Sequence, residues 1–213
     1  MKQVLIVGNW KSNKTNQQAQ EWLDQFQISN HNIIICPPFT LLPQLDWRIK
    51  NQKLGIKLGA QDISPFDEGA YTGEINGKQI KEFCEYVIIG HSERRKYFSE
   101  DDSKLEKKVA MAKKYGIKVI FCVQGEHDVI PQGVEIVAYE PVFAIGTGTP
   151  DTPENANETA KKIKEIIDVP VLYGGSVTSQ NVKNFTQMPH IDGVLVGGAS
   201  LDAYEFASII EKA

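Results

Sequence analysis

The chain has 213 residues, of which 41% are apolar or aromatic and 23% charged, the balance of a folded globular protein rather than a disordered one. Its formal net charge is −4 with acids and bases interspersed, which argues against an extended nucleic-acid footprint. No run approaches the roughly 20 apolar residues that a bilayer-spanning helix needs, so no membrane partner is expected.

From the N-terminus, the first apolar run covers residues 4–7, directly after Met1-Lys2-Gln3. It is too short for a signal peptide and has no small-residue cleavage site, so a cytoplasmic location is expected. Short β-branched runs then recur at residues 33–36, 56–59, 86–89, 118–123, 135–138, 170–173 and 193–196. They do not alternate with polar residues, which is how strands covered on both faces of a parallel sheet read. Helix signals lie between them. Ser99 stands before Glu100, Asp101 and Asp102, after which Leu105, Val109 and Ala112 form a stripe that stops at Gly116. Thr152 can cap a helix with Pro153 at its first position, and Ala156, Ala160, Ile163 and Ile167 recur on one face. Eight such repeats with right-handed crossovers close naturally into a parallel (β/α)8 barrel, so residues 1–213 are expected to form one α/β domain. An open doubly wound sheet is the alternative, but the first turn, Gly8-Asn9-Trp10-Lys11, lacks the glycine fingerprint for a dinucleotide.

One unit is short. Only residues 124–134 separate the fifth run from the sixth, and Pro131 and Gly133 are among them, too few and too broken for a full helix. Apolar strand surface left wet costs about 25 cal/mol per Å², so a cover is expected. Val129 and Ile130, folded down as a plug, are preferred to a second chain in that place.

In a barrel of this kind reactive groups follow the C-terminal ends of the strands. Asn9 and Lys11 follow the first run, Gly90-His91-Ser92-Glu93-Arg94-Arg95 the fourth, and Tyr139-Glu140-Pro141 the sixth. Gly174-Gly175-Ser176 follow the seventh and Gly197-Gly198-Ala199-Ser200 the eighth. Singly, each has an ordinary explanation: a solvated Glu, a surface Lys, an Asn bonded to its own turn, a tight glycine turn. Gathered on one rim, they read as acid, base, cation and glycine-rich turns. Cys36, Cys84 and Cys122 form no CxxC pair and are expected to be buried, reduced thiols, and no metal site is expected.

Asn9-Trp10-Lys11, Gly90-His91-Ser92-Glu93-Arg94-Arg95, Tyr139-Glu140-Pro141-Val142-Phe143-Ala144-Ile145-Gly146-Thr147-Gly148, Tyr173-Gly174-Gly175-Ser176-Val177 and Val196-Gly197-Gly198-Ala199-Ser200-Leu201 follow one another in this order. Together they resemble the triosephosphate isomerase family. The resemblance implies a TIM barrel, here with a truncated fifth β/α unit, and a cofactor-free aldose–ketose isomerase of glycolysis and gluconeogenesis. Its substrates would be dihydroxyacetone phosphate and D-glyceraldehyde 3-phosphate. Glu140 would take the carbon-bound proton, while His91, Asn9 and Lys11 would act as donors to the developing oxyanion, with Glu93 orienting Lys11. A neutral histidine electrophile, its second proton disfavoured by a helix N-terminus, is an arrangement this family is known for.

By the same resemblance, phosphate falls to the backbone around Gly146, Ser176, Gly197 and Gly198. Residues 141–149 resemble the family's lid, which excludes water from the reactive intermediate. Phe143 stands where Trp is usual, and Thr149-Pro150 where Lys is common, so altered lid kinetics are expected. Tyr71-Thr72-Gly73-Glu74 matches the loop tip through which family members pair, which implies a homodimer.

Overall fold

The computed structural model describes residues 3–26, 28, 32–144 and 149–213. Eight strands form: β1 (Leu5–Asn9), β2 (Asn32–Cys36), β3 (Ile56–Ala60), β4 (Tyr86–Ile89), β5 (Lys118–Val123), β6 (Ile136–Tyr139), β7 (Val171–Tyr173) and β8 (Gly193–Val196). They pair in sequence order, all parallel, and β8 returns to β1 to close the barrel. The expected (β/α)8 architecture is therefore present. Near-continuous apolar runs make sense here because both strand faces are buried. Val7, Ile34, Ile88, Ile120, Leu172 and Leu195 fill the barrel interior, together with Cys36 and Cys122. Their neighbours Ile6, Ile35, Val87, Phe121 and Val194 join a larger outer core with helical residues such as Trp22, Leu45, Val109, Ile163 and Phe206.

The helices are α1 (Asn16–Gln25), α2 (Leu42–Gln52), α3 (Gly77–Lys81), α4 (Ser92–Phe98), α5 (Asp102–Lys114), α6 (Pro153–Ile166), α7 (Val182–Thr186) and α8 (Ala203–Lys212). Local sequence sets where several begin. Thr15 with Gln18 and Asn76 with Gln79 form reciprocal capping boxes, and Thr152 and Asp202 accept the amides of Asn155 and Glu205. The Thr152-Pro153 start is as the sequence predicts. The start of α5 differs: Asp101, not Ser99, is its cap, accepting the Lys104 amide at 2.8 Å. Ser99 instead ends α4 with φ near 51°, and that left-handed residue turns the chain between the two helices. Glu100 is consequently not a wet first-turn acid. It is buried, with Oε1 accepting from Arg94 at 2.8 Å and Lys108 at 2.6 Å.

Residues 124–135 join β5 to β6 with no helix among them, so the fifth unit is truncated as expected. The segment is nevertheless anchored. The Asp128 carboxylate accepts the Gln124 amide, the Glu135 carboxylate accepts the Val119 amide, and Glu126 pairs with Lys162 of α6 at 3.1 Å. The plug is only partly the expected one. Ile130 packs against the outer core and Val134 is buried beside it, whereas Val129 is 64% exposed. With this cover, Val119, Phe121, Val123 and Val137 are all fully buried.

Candidate functional site

The C-terminal ends of the strands surround a cavity of about 250 Å³, lined among others by Asn9, Lys11, His91, Glu140, Ser176, Gly197 and Gly198. These side chains and turns come from five different strand ends, and the closed sheet brings them together. Of the expected phosphate ligands, Gly146 lies outside the described residues, as do Ile145, Thr147 and Gly148.

Glu140 is 2% exposed. One carboxylate oxygen accepts the Ser92 amide at 3.0 Å, and the other lies 3.2 Å from Nε2 of His91. The Cys122 thiol also bonds to this carboxylate; burial first, then the Glu140 charge, pushes that thiol well above its ordinary pKa. The position is crowded: a Cβ on Gly174 would sit 2.9 Å from Cγ of Glu140, so only glycine lets β7 end here.

His91 caps α4. Its Nδ1 accepts the Glu93 amide at 3.2 Å. A nitrogen that accepts an N–H carries no proton, so the ring hydrogen of the neutral imidazole is on Nε2, the atom facing Glu140. The cap thus aims the Nε2 donor at the Glu140 carboxylate.

Lys11 has φ near 51°, a left-handed conformation that costs a non-glycine residue roughly 1–2 kcal/mol. Its neighbours hold it there. Oδ1 of Asn9 accepts the Lys11 amide at 3.0 Å, and Nε2 of Gln61 donates to the Lys11 carbonyl at 2.8 Å and to that of Cys36 at 2.9 Å. The Lys11 ammonium reaches the Glu93 carboxylate at 2.5 Å. Asn9 is therefore both the self-bonded turn residue of the ordinary reading and a wall of the cavity. Gln61 was missed by the sequence reading, although its place directly after β3 is the signal that found the others.

On the neighbouring strand, after β8, Gly197 and Gly198 open a 3-10 turn, Gly198–Leu201. A Cβ at Gly197 would lie 3.9 Å from the Lys11 ammonium, and one at Gly198 would meet nothing within 4 Å. The backbone here thus faces open space next to a cation, a fit for an oxyanion group. The Ser176 hydroxyl donates to the Ala144 carbonyl at 2.7 Å, joining the turn after β7 to the residues that follow Glu140. Behind the site, the Tyr139 hydroxyl bonds the Asp151 carboxylate at 3.3 Å, and the Asp151 amide donates to the Tyr173 hydroxyl at 2.8 Å. Burial, reinforced by the Asp151 charge, pushes the Tyr139 phenol up to about 12. The described residues hold no group of three or more His, Cys, Asp or Glu side chains arranged for a metal ion.

Comparison with known proteins places this site in context. A family model described as triosephosphate isomerase matches residues 4–213. A triosephosphate isomerase of Dictyoglomus turgidum is 41% identical over 252 aligned positions, covering all of both chains, so the alignment must open gaps in this shorter chain. One from a Synechococcus species is 38% identical, covering 99% of this chain and 97% of its own. Among solved structures, the triosephosphate isomerase of Bartonella henselae superposes with a TM-score of 0.84 at 29% identity, covering 99% of this chain and 98% of that one.

Proposed function

The chain belongs to the triosephosphate isomerase family and interconverts dihydroxyacetone phosphate and D-glyceraldehyde 3-phosphate, and we propose that it does so with Glu140 as the base and His91 as the electrophile. The observation that carries this reading is the contact between a 2%-exposed carboxylate and the imidazole Nε2, 3.2 Å apart on the wall of the cavity. The reaction needs a carbon-bound proton removed and the resulting enediolate stabilised. A carboxylate out of bulk water is a stronger base than one in solution, and a substrate oxygen entering between Nε2 and Oε1 would meet the imidazole donor while releasing the carboxylate toward carbon. A neutral donor suits an oxyanion that must later be reprotonated, because it stabilises charge without surrendering its proton too early.

Lys11 supplies the positive field, and Asn9, whose Oδ1 is committed to the Lys11 amide, has its amide group left as a donor. Phosphate binds at the Gly197–Gly198 turn with the Ser176 backbone, completed by Gly146. Residues 141–149 act as the cover that keeps water from the enediolate, which otherwise expels phosphate. No cofactor takes part. The whole chain, residues 1–213, works as one domain.

The enzyme works as a cytoplasmic homodimer paired through the loop around Thr72. Support comes from the same loop, where Phe66 and Tyr71 are 45% and 44% exposed with their rings stacked at 4.3 Å, an apolar tip suited to a partner. No helix of the described residues is long and apolar enough to cross a membrane. Sizing with light scattering should give twice the chain mass at micromolar concentration; a single monomer peak would remove the dimer.

The test of the chemistry is a coupled isomerase assay on the parent and on Glu140→Gln. The variant should lose about 10³-fold or more in kcat with unchanged circular dichroism. Equal rates would overturn the assignment of the base.

A further inference from the structure

Backbone pairing between β4 and β5 runs from Tyr86↔Lys118 to Ile89↔Phe121 and stops. The next pair in register would be Gly90 and Cys122. Their carbonyls are taken by one side chain: Nε of Arg95 donates to Gly90 at 2.9 Å, and Nη2 donates to Cys122 at 3.3 Å. The remaining arm, Nη1, meets the Asp102 carboxylate at 3.2 Å, and the guanidinium lies over the Phe121 ring, 5.7 Å from its centroid. Gly90 has φ near 77°, and a Cβ there would come within 3.3 Å of both Nη2 and the Cys122 carbonyl, so the fork fits only against glycine.

The two residues joined in this way lead directly to the chemistry. Gly90 precedes His91, and Cys122 holds its thiol against the Glu140 carboxylate. We propose that Arg95 is a positioning residue, continuing the β4–β5 ladder one pair beyond its last backbone bonds so that imidazole and carboxylate share one frame. The inference rests on the assignment of His91 and Glu140 as the reacting pair. Two features make the fork necessary at this place. A tight left-handed turn at Gly90 cannot extend the ladder by itself, and β5 is followed by no helix that could brace its end. A flat guanidinium with donors on adjacent edges can bridge two carbonyls, which a lysine ammonium on a single stem cannot do as a rigid unit.

The test compares parent, Arg95→Lys and Arg95→Met, each assayed well below its own unfolding midpoint. Misplacement by about 1 Å of groups that must align costs on the order of a hundredfold. Arg95→Lys should therefore lower kcat about tenfold to a hundredfold with KM within a factor of about two. Arg95→Met should be lower still and partly restored by methylguanidinium at non-denaturing concentration. A merely structural role would shift the unfolding midpoint and leave kcat per folded molecule unchanged, and that result overturns the proposal. Nitrogen NMR of the His91 ring gives a readout independent of turnover: one sharp Nε2–H environment in the parent, several or a broadened one in Arg95→Lys. An inactive parent would remove the isomerase reading, and the NMR arm would then decide on Arg95, an unchanged signal counting against it.

Discussion

From β4 to β5 the chain runs through two helices and a buried cluster of four charges; from β5 to β6 it runs through twelve residues without a helix. In the first connection Lys108 of α5 is 1% exposed and bonds both Asp62, which follows β3, and Glu100. Arg94 of α4 completes the cluster through Asp62 at 2.8 Å and Glu100. In the second connection, Ile130 and Val134 cover what a helix would. Yet β5 pairs four residues with each neighbour, β4 on one side and β6 on the other. The barrel wall is held by its ladders and inward packing, and a crossover has to do no more than return the chain and keep the outer face dry. The elaborate connection is the one that carries His91, and the bare one carries no proposed site residue.

If that contrast is right, the first connection should be the fragile one. Lys108→Met removes the buried cation that Asp62 and Glu100 share, leaving them the partly exposed Arg94, so it should cost about 3–5 kcal/mol in urea unfolding at neutral pH. Burial raises the Glu100 carboxyl, but Lys108 and Arg94 outweigh burial and hold it below its usual value. Glu100 therefore stabilises the parent above pH about 4.5, and this contribution fades as pH falls through the lowered value. In Lys108→Met the carboxyl is free to take up a proton, so the deficit should shrink in acid. A cost below 1 kcal/mol would dissolve the contrast.

Ile130→Ala probes the other side. The residue is only partly buried, so its loss should cost about 1–2 kcal/mol, less than the 2–5 of a fully buried aliphatic, and isomerase activity should be unchanged. A cost equal to that of Lys108→Met would mean that this short segment bears as much of the fold as two helices do.

The two connections also differed in how far their sequences could be read. Short apolar runs locate all eight strands because burial on both faces leaves few polar interruptions, Lys57 in β3 being one, and Pro131 with Gly133 in so short a segment shows the missing helix because both residues break helices. His91, Glu140 and Lys11 are legible because strand ends are where barrel chemistry gathers. Glu100 is not: beside Asp101 and Asp102 it looks like a helix-start acid, and its partners Arg94 and Lys108 reach it only once α4 and α5 have turned against each other. Arg95 hides for a similar reason, since the carbonyls it joins meet only when β4 and β5 have paired. That only Ile130 of the expected Val129–Ile130 plug packs on the core, while Val129 stays exposed, is not something two adjacent apolar letters can say.

The smallest expected difference is the sharpest test of the short crossover. Cys122 stands at the end of β5, next to it, whereas Cys84 lies just before β4, in the preceding crossover that carries α3. Both thiols are buried. Burial raises Cys84 from 9.0 to about 12 and raises Cys122 as well. Only a thiolate reacts with an alkylating reagent, so at pH 8 neither residue should label until the protein unfolds, and both should label at one rate. A faster Cys122 would reveal local opening of residues 124–135 and count against Ile130 and Val134 as an adequate cover. The same shifts fix the alkaline limit of stability. Between pH 9 and about 12 the unfolded chain has lost the Cys84 proton that the folded chain keeps, so stability must fall as pH rises through this window. Cys84→Ala should flatten that fall without moving the midpoint measured below pH 8 by more than the loss of one small side chain allows.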